Sequence, residues 1–292
     1  MREEGRTASV DAALVGTVII WAVNFSVVKA ALVHLSPLAF NTVRLIGASA
    51  VLLVLTRLRG GPRVRRQDLF RLLLLALIGH TIYQLLFIHG IHETTASSSA
   101  MLLGMTPAFV ALLSVLLRVE RPRTITWLGI AISAVGVGLV VRDSARLGHG
   151  ASGDWLILGA TLCWSLYTVL GKPVVDAYGH FKTNAYAMAL GTTFLLPLGL
   201  PRLFEISPAA VPASTWGATI FSFVFALVVA YSLWYFAVSR IGPTQTAIYA
   251  NLTPVAALTV AWLTLGEPVG PLKLGGAGLI FLGIHLVRRR RS

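Results

Sequence analysis

Apolar runs about 20 residues long, parted by short clusters of charge, organise this chain from one end to the other. About 20 apolar residues is what a helix needs to cross the hydrocarbon core of a bilayer. The runs predict ten membrane-spanning helices, at roughly 12–33, 37–57, 69–90, 95–118, 124–141, 154–173, 182–201, 213–238, 244–265 and 272–288. The stretch Trp21–Lys29, "WAVNFSVVK", breaks the pattern with an Asn and a Lys, and "WSLYTVLGK" at Trp164–Lys172 repeats it. Such polar positions inside apolar helices need a partner, because hydrocarbon offers none.

A repeat explains the echo. Segment 100–120, "AMLLGMTPAFVALLSVLLRVE", matches 247–267, "AIYANLTPVAALTVAWLTLGE". Ala100, Thr106, Pro107, Leu116 and Glu120 align with Ala247, Thr253, Pro254, Leu263 and Glu267, and Gly129 and Gly136 in the following helix align with Gly276 and Gly283. The pairs Trp21/Trp164 and Lys29/Lys172 are offset by four residues less, a difference assigned to "VDAYGHFKT" being a longer connection than "HLSP". The chain therefore divides into two five-helix units, 1–143 and 150–292. Five is odd, so the second unit starts on the opposite side of the membrane and is inverted relative to the first. The expected fold is an all-α polytopic membrane protein of ten transmembrane helices in two inverted five-helix repeats. Inverted repeats mark secondary transporters, whose substrate site lies near the bilayer midplane where the halves meet.

These residues carry a resemblance. The Trp-x7-Lys first helix, the helices ending "TPAFVALLSVLLRVERP" and "TPVAALTVAWLTLGEP", and the Gly-rich helix after each resemble the drug/metabolite transporter superfamily, in its ten-helix EamA-type branch. The resemblance covers roughly residues 10–290, and within the branch it is greatest to the YddG-type exporters of aromatic and other amino acids. It implies export of amino acids and similar metabolites across a bacterial cytoplasmic (inner) membrane by alternating access, in a multi-pass monomer or homodimer without cofactor or metal.

Composition and charge sharpen the topology. Of the 292 residues 56% are hydrophobic and 12% charged, where a soluble domain has about 25% charged. Mean hydropathy is +0.78. The net charge of +13 would suggest nucleic acid in a soluble protein, but the basic residues alternate by loop. Arg57, Arg59, Arg63, Arg65, Arg66, Arg71, Arg118, Arg121, Arg123 and Arg288–Arg291 fall on one side with Arg2, Arg6, Lys182 and Arg240. Arg142, Arg146, Arg202 and Lys273 fall on the other. Basic loops stay in the cytoplasm, which puts both termini there and makes membrane lipid, rather than nucleic acid, the partner. The first stretch exceeds an ordinary signal-peptide core and reads as a retained helix. Cys163, the single cysteine, lies in the sixth stretch as a structural thiol.

Candidate cargo contacts follow from symmetry. Pro107 and Pro254 interrupt corresponding helices, the best sequence pointer to a transport site; they are assigned as hinges of the moving parts, and each follows a Thr able to bond the freed backbone. His80, Tyr83, Gln84 and Phe87 share one face of the third stretch, and Gln84 and Phe87 align with Tyr231 and Trp234 of the eighth. Trp164 and Tyr167 share a face of the sixth and align with Trp21 and Asn24 of the first. Aromatic rings with polar tips suit a small amphipathic solute. Met101, Met105, Tyr249 and Asn251 flank the interruptions as further candidates. Lys29, Lys172 and Arg44 either snorkel to the interface or face the cavity and attract a carboxylate. No Asp or Glu stands at mid-helix, which argues against cationic drugs as the main cargo, and leaves His80 as the central titratable group.

Other classes fit less well. "HETTA" at His92 lacks the second His of the zinc-protease helix motif, and no nucleophile–base pair stands at mid-depth, so an intramembrane enzyme is not expected. An antiporter for phosphorylated sugars or nucleotide sugars would need several cavity cations, and broad drug or metabolite efflux is the remaining transport alternative. The Gly-rich fifth and tenth helices are assigned to close packing.

Overall fold

A computed structural model describes residues 2–60, 64–117, 124–146 and 151–288. Glu120, Arg63, Arg118, Arg121, Arg123 and Arg289–Arg291, used above for repeat and charge, lie outside the described residues. Ten helical stretches follow one another: α1 (Arg2–Ala31), α2 (Pro37–Arg59), α3 (Arg66–Glu93), α4 (Ala96–Leu116), α5 (Thr124–Arg146), α6 (Ala151–Tyr178), α7 (His180–Phe204), α8 (Ala213–Ile241), α9 (Pro243–Leu265) and α10 (Pro271–Arg288). Among the described residues, 8 helices, all but α5 and α10, are long and apolar enough to cross a membrane.

The two halves exchange the same contacts. The fifth helix of one packs on the fifth of the other (α5 on α10), and the second on the second (α2 on α7). The first helix of each half packs on the third and fourth of the other: α1 on α8 and α9, α6 on α3 and α4. Equivalent residues meet each other. Trp21 and Trp164 stand edge to face at 5.3 Å, Ser49 and Thr192 share a 2.9 Å hydrogen bond, and Gln84 Nε2 donates to the Tyr231 hydroxyl at 3.3 Å. At the edge of the molecule, a Cβ on Gly136 would stand 2.6 Å from the Gly276 carbonyl oxygen, so only glycine lets α5 and α10 approach this closely.

One detail of the repeat is corrected. The connections from α1 to α2 and from α6 to α7 are the same length, because the N-cap residues Ser36 and Gly179 keep the spacing of the Trp and Lys pairs. So do Asn41 and Asn184, whose amides donate to the backbone carbonyls of Gln84 and Leu227. The four-residue difference therefore lies further on, between the second and third helices of each half, and not in "VDAYGHFKT".

Both third helices widen into π-turns at matching places, Leu77–Ile82 in α3 and Ser222–Ala230 in α8. Such turns shift the carbonyl register and are common beside functional sites. Here they serve the centre of the fold: Trp21 Nε1 donates to the Ala226 carbonyl at 3.3 Å, and Thr81 Oγ1 to the Gly191 carbonyl at 3.1 Å.

Candidate functional site

The prolines break their helices rather than bend them. α4 is two pieces, Ala96–Leu103 and Thr106–Leu116, with Gly104 and Met105 between them in a turn. α9 is likewise Pro243–Tyr249 and Leu252–Leu265, parted at Ala250 and Asn251. Pro107 has no N–H to give the Leu103 carbonyl, and the Thr106 hydroxyl donates to that oxygen at 2.6 Å instead. In the second half the Thr253 backbone N–H serves the Ala250 carbonyl at 3.1 Å, and Thr253 Oγ1 stays buried without a partner among the described residues. The two breaks abut: a Cβ on Gly104 would meet the Pro254 ring at 2.7 Å.

Beside this crossing lies a cavity that, counted together with its open mouth, holds about 570 Å³ of empty space. Its walls carry a group of rings: Trp21 and Phe25 of α1, Tyr83 and Phe87 of α3, Trp164 of α6 and Tyr231 of α8. They hold one another. Tyr83 stacks on Phe87 at 5.8 Å and 14°, and the Trp164 and Tyr231 centroids are 4.8 Å apart. Polar groups converge on the same space: Asn24, Arg44, Gln84, Thr106 and Thr253. Ser222 Oγ donates to Asn24 Oδ1 at 2.6 Å, fixing that amide. Arg44 is 1% exposed, with the Phe40 ring 5.2 Å away and the phenols of Tyr83 and Tyr231 near it.

A second layer braces the rings from behind. His80 Nε2 and the Tyr167 hydroxyl share a 2.9 Å hydrogen bond. Trp234 Nε1 donates to Thr168 Oγ1 at 3.2 Å, and the Tyr235 hydroxyl donates to the Tyr167 carbonyl at 3.0 Å. Of the residues singled out by sequence, Trp21, Asn24, Tyr83, Gln84, Trp164, Tyr231 and Arg44 line the cavity, while His80, Tyr167 and Trp234 stand in this outer layer. Met101 and Met105 pack in the core away from the lining. Asn251 sits in the α9 break, neither amide atom bonded among the described residues.

Neither lysine reaches the cavity. Lys29 Nζ donates to the carbonyls of Ile91, His92 and Thr94 at 2.9, 2.9 and 2.6 Å, satisfying orphan acceptors at the C-terminus of α3. Lys172 pairs with Asp176, one turn along α6.

One polar cluster was missed from the sequence. Gly266, at φ 65 and ψ 24, ends α9 in the left-handed region that glycine tolerates. The chain turns there and carries Glu267 to the N-terminus of α4, in the other half. Glu267 Oε1 accepts the Ala96 N–H at 2.7 Å and Oε2 the Ser97 N–H at 3.0 Å, with the Ser97 hydroxyl donating as well. Lys273 Nζ reaches the same Ser97 Oγ at 2.9 Å. A carboxylate on the first N–H groups of a helix meets both orphan donors and the positive end of its dipole. The signal present in the sequence was the Glu repeated after each "TP" helix; its partner "TTASSSA" lies too far away in the chain to be paired with it by eye.

Comparison with known proteins completes the picture. The EamA-like transporter family profile matches residues 8–142 and again 151–289. A "Probable terminal-alkyne amino-acid exporter" from Streptantibioticus cattleyicolor is 31% identical over 283 residues, covering 95% of this chain and 93% of the relative. The "Uncharacterized transporter YyaM" of Bacillus subtilis is 27% identical, covering 93% of this chain and 90% of its own. An "Uncharacterized transporter" of Archaeoglobus fulgidus is 29% identical, covering 94% and 96%. One crystal structure shares the fold with a TM-score of 0.69 at 15% identity, over 98% of this chain and 99% of that one. A multi-pass helical chain with two copies of one profile, meeting around a central cavity, belongs to the EamA-like transporter family of the drug/metabolite transporter superfamily.

Proposed function

We propose that this protein is a secondary transporter that exports aromatic and neutral amino acids and related small metabolites across the bacterial inner membrane by alternating access. In this reading all ten helices span the bilayer, the halves 1–143 and 150–292 are inverted, and both termini are cytoplasmic. The observation that carries it is the cavity itself: a ring-walled space holding one buried guanidinium, set where the broken helices of the two halves cross. The rings supply an apolar wall for a side chain, and the amides and hydroxyls supply fixed polar contacts for a head group. The amino-acid exporter of Streptantibioticus cattleyicolor supports the cargo class by similarity. A phosphorylated cargo finds less support, because Arg44 is the one charged residue among the described residues of the lining, where a phosphate dianion needs several donors.

Alternating access needs ends that close in turn. The Glu267–α4 contact joins the two halves at one end of the cavity, the external one in this topology. It acts as the outer lock, made in the state seen here and broken when that end opens.

Gln84 tests the site. Its Nε2 is held by Tyr231 while its buried Oε1 has no partner among the described residues. Losing one such hydrogen bond costs about 1 kcal/mol, so Gln84→Leu should slow radiolabelled L-phenylalanine flux in proteoliposomes about fivefold. Unchanged flux in correctly inserted protein removes Gln84 from the site.

A further inference from the structure

We infer that Arg44 anchors a carboxylate of the cargo, so that the cavity selects an acid group and tolerates, without requiring, an amine. This rests on the transport reading above and assigns the chemistry of its site.

Four observations meet at this side chain. Arg44 lies on α2, 1% exposed, yet borders the cavity. Its Nε and Nη1 are buried and have no hydrogen-bond partner among the described residues. Among the described residues the lining contains no Asp or Glu, and none of the ion pairs among them involves Arg44. The neighbours that face it are neutral: Phe40, one turn back, offers a ring face, and Tyr83 and Tyr231 offer phenols.

A guanidinium keeps its proton in proteins. Burying it without a counter-ion is unfavourable by several kcal/mol, and a fold tolerates that where a ligand supplies the missing charge. The planar fork of Arg matches the two oxygens of a carboxylate. Among the described lining residues an ammonium group meets only neutral partners. Ring faces, the free Oε1 of Gln84 and the unpartnered Thr253 hydroxyl accommodate a cation but do not neutralise it. A decarboxylated amine would therefore bring a second positive charge beside Arg44. An acid lacking the amine would lose little.

The test uses three probes of one shape: L-phenylalanine, 3-phenylpropanoate and 2-phenylethylamine. Each is radiolabelled and followed in proteoliposomes containing wild type, Arg44→Lys or Arg44→Leu, with each variant first shown monodisperse and thermally stable. Wild type is expected to carry the first two and to leave the amine at the protein-free rate. Arg44→Leu should lose about tenfold or more on both acids, the worth of a charged hydrogen-bond pair, and Arg44→Lys should recover part of it. Quenching of the cavity tryptophans by each probe reports binding separately from flux. Wild-type rates of L-phenylalanine in Arg44→Leu, or preference of wild type for the amine, overturn the inference. Should wild type carry neither phenyl acid yet carry another organic carboxylate in an Arg44-dependent way, the inference holds and the amino-acid reading falls. If folded wild type carries no carboxylate from a wider panel, both fall.

Discussion

Replacing Glu267 by Ala is expected to be among the most destabilising single changes in this protein. The carboxylate satisfies two backbone N–H groups of α4 and orients Ser97, whose hydroxyl also takes the Lys273 ammonium. Truncation leaves those donors without their acceptor and takes a negative charge from beside the buried Lys273. Removing one partner from a buried charged network costs about 3–5 kcal/mol. Glu267→Gln keeps one acceptor and should cost less. Thermal unfolding in detergent, followed by size-exclusion profile, ranks the three. Because the contact spans the two halves, the Ala variant should also favour the state open at this end. A melting temperature equal to that of wild type would show that the contact holds neither the fold nor the closed end.

The second large effect is expected at Trp164. Its ring lies 5.3 Å from Trp21, 5.5 Å from Tyr83, 5.4 Å from Tyr167, 4.8 Å from Tyr231 and 5.6 Å from Trp234. It is thus shared by the cavity wall and the layer behind it. Truncating a buried Trp to Ala costs about 3–5 kcal/mol, and here it also enlarges the cavity. Trp164→Ala should unfold at a lower temperature and lose flux of L-phenylalanine, while Trp164→Phe keeps most of both. Trp21, its counterpart, is only partly buried and meets fewer rings, so Trp21→Ala should be the milder change. Equal losses at the two positions, or a greater loss at Trp21, would contradict the assignment of Trp164 to the centre.

The repeat was legible because both halves keep the same polar and aromatic positions on otherwise apolar helices. Trp21 and Trp164, and Gln84 and Tyr231, aligned by spacing alone, and they touch in the structure. What spacing does not carry is how each helix is turned about its own axis. His80, Tyr83 and Gln84 share a broad face of α3, yet only the last two reach the cavity, and His80 is turned towards Tyr167. The lysines show how equivalent residues diverge. Lys172 finds Asp176 one turn on, whereas the corresponding neighbour of Lys29 is Val33, and Lys29 takes carbonyls of α3 instead. Arg44 was ambiguous in the sequence because a cation near a helix end snorkels by default. Its place in the lining depends on α2 packing against α7 and α8, which a single helix does not reveal. The breaks at Pro107 and Pro254 were legible as interruptions, while their meeting at Gly104 was not.

The central claim is that one cavity serves both faces of the membrane. Leu103 lines it beside the α4 break, so a single cysteine placed there by Leu103→Cys, with Cys163→Ser removing the native thiol, reports its access. A membrane-impermeant maleimide is applied to vesicles of either orientation, with and without L-phenylalanine. The account predicts labelling from both faces and slower labelling when the amino acid is present. Labelling from one face alone, or labelling that the amino acid leaves unchanged, would contradict it.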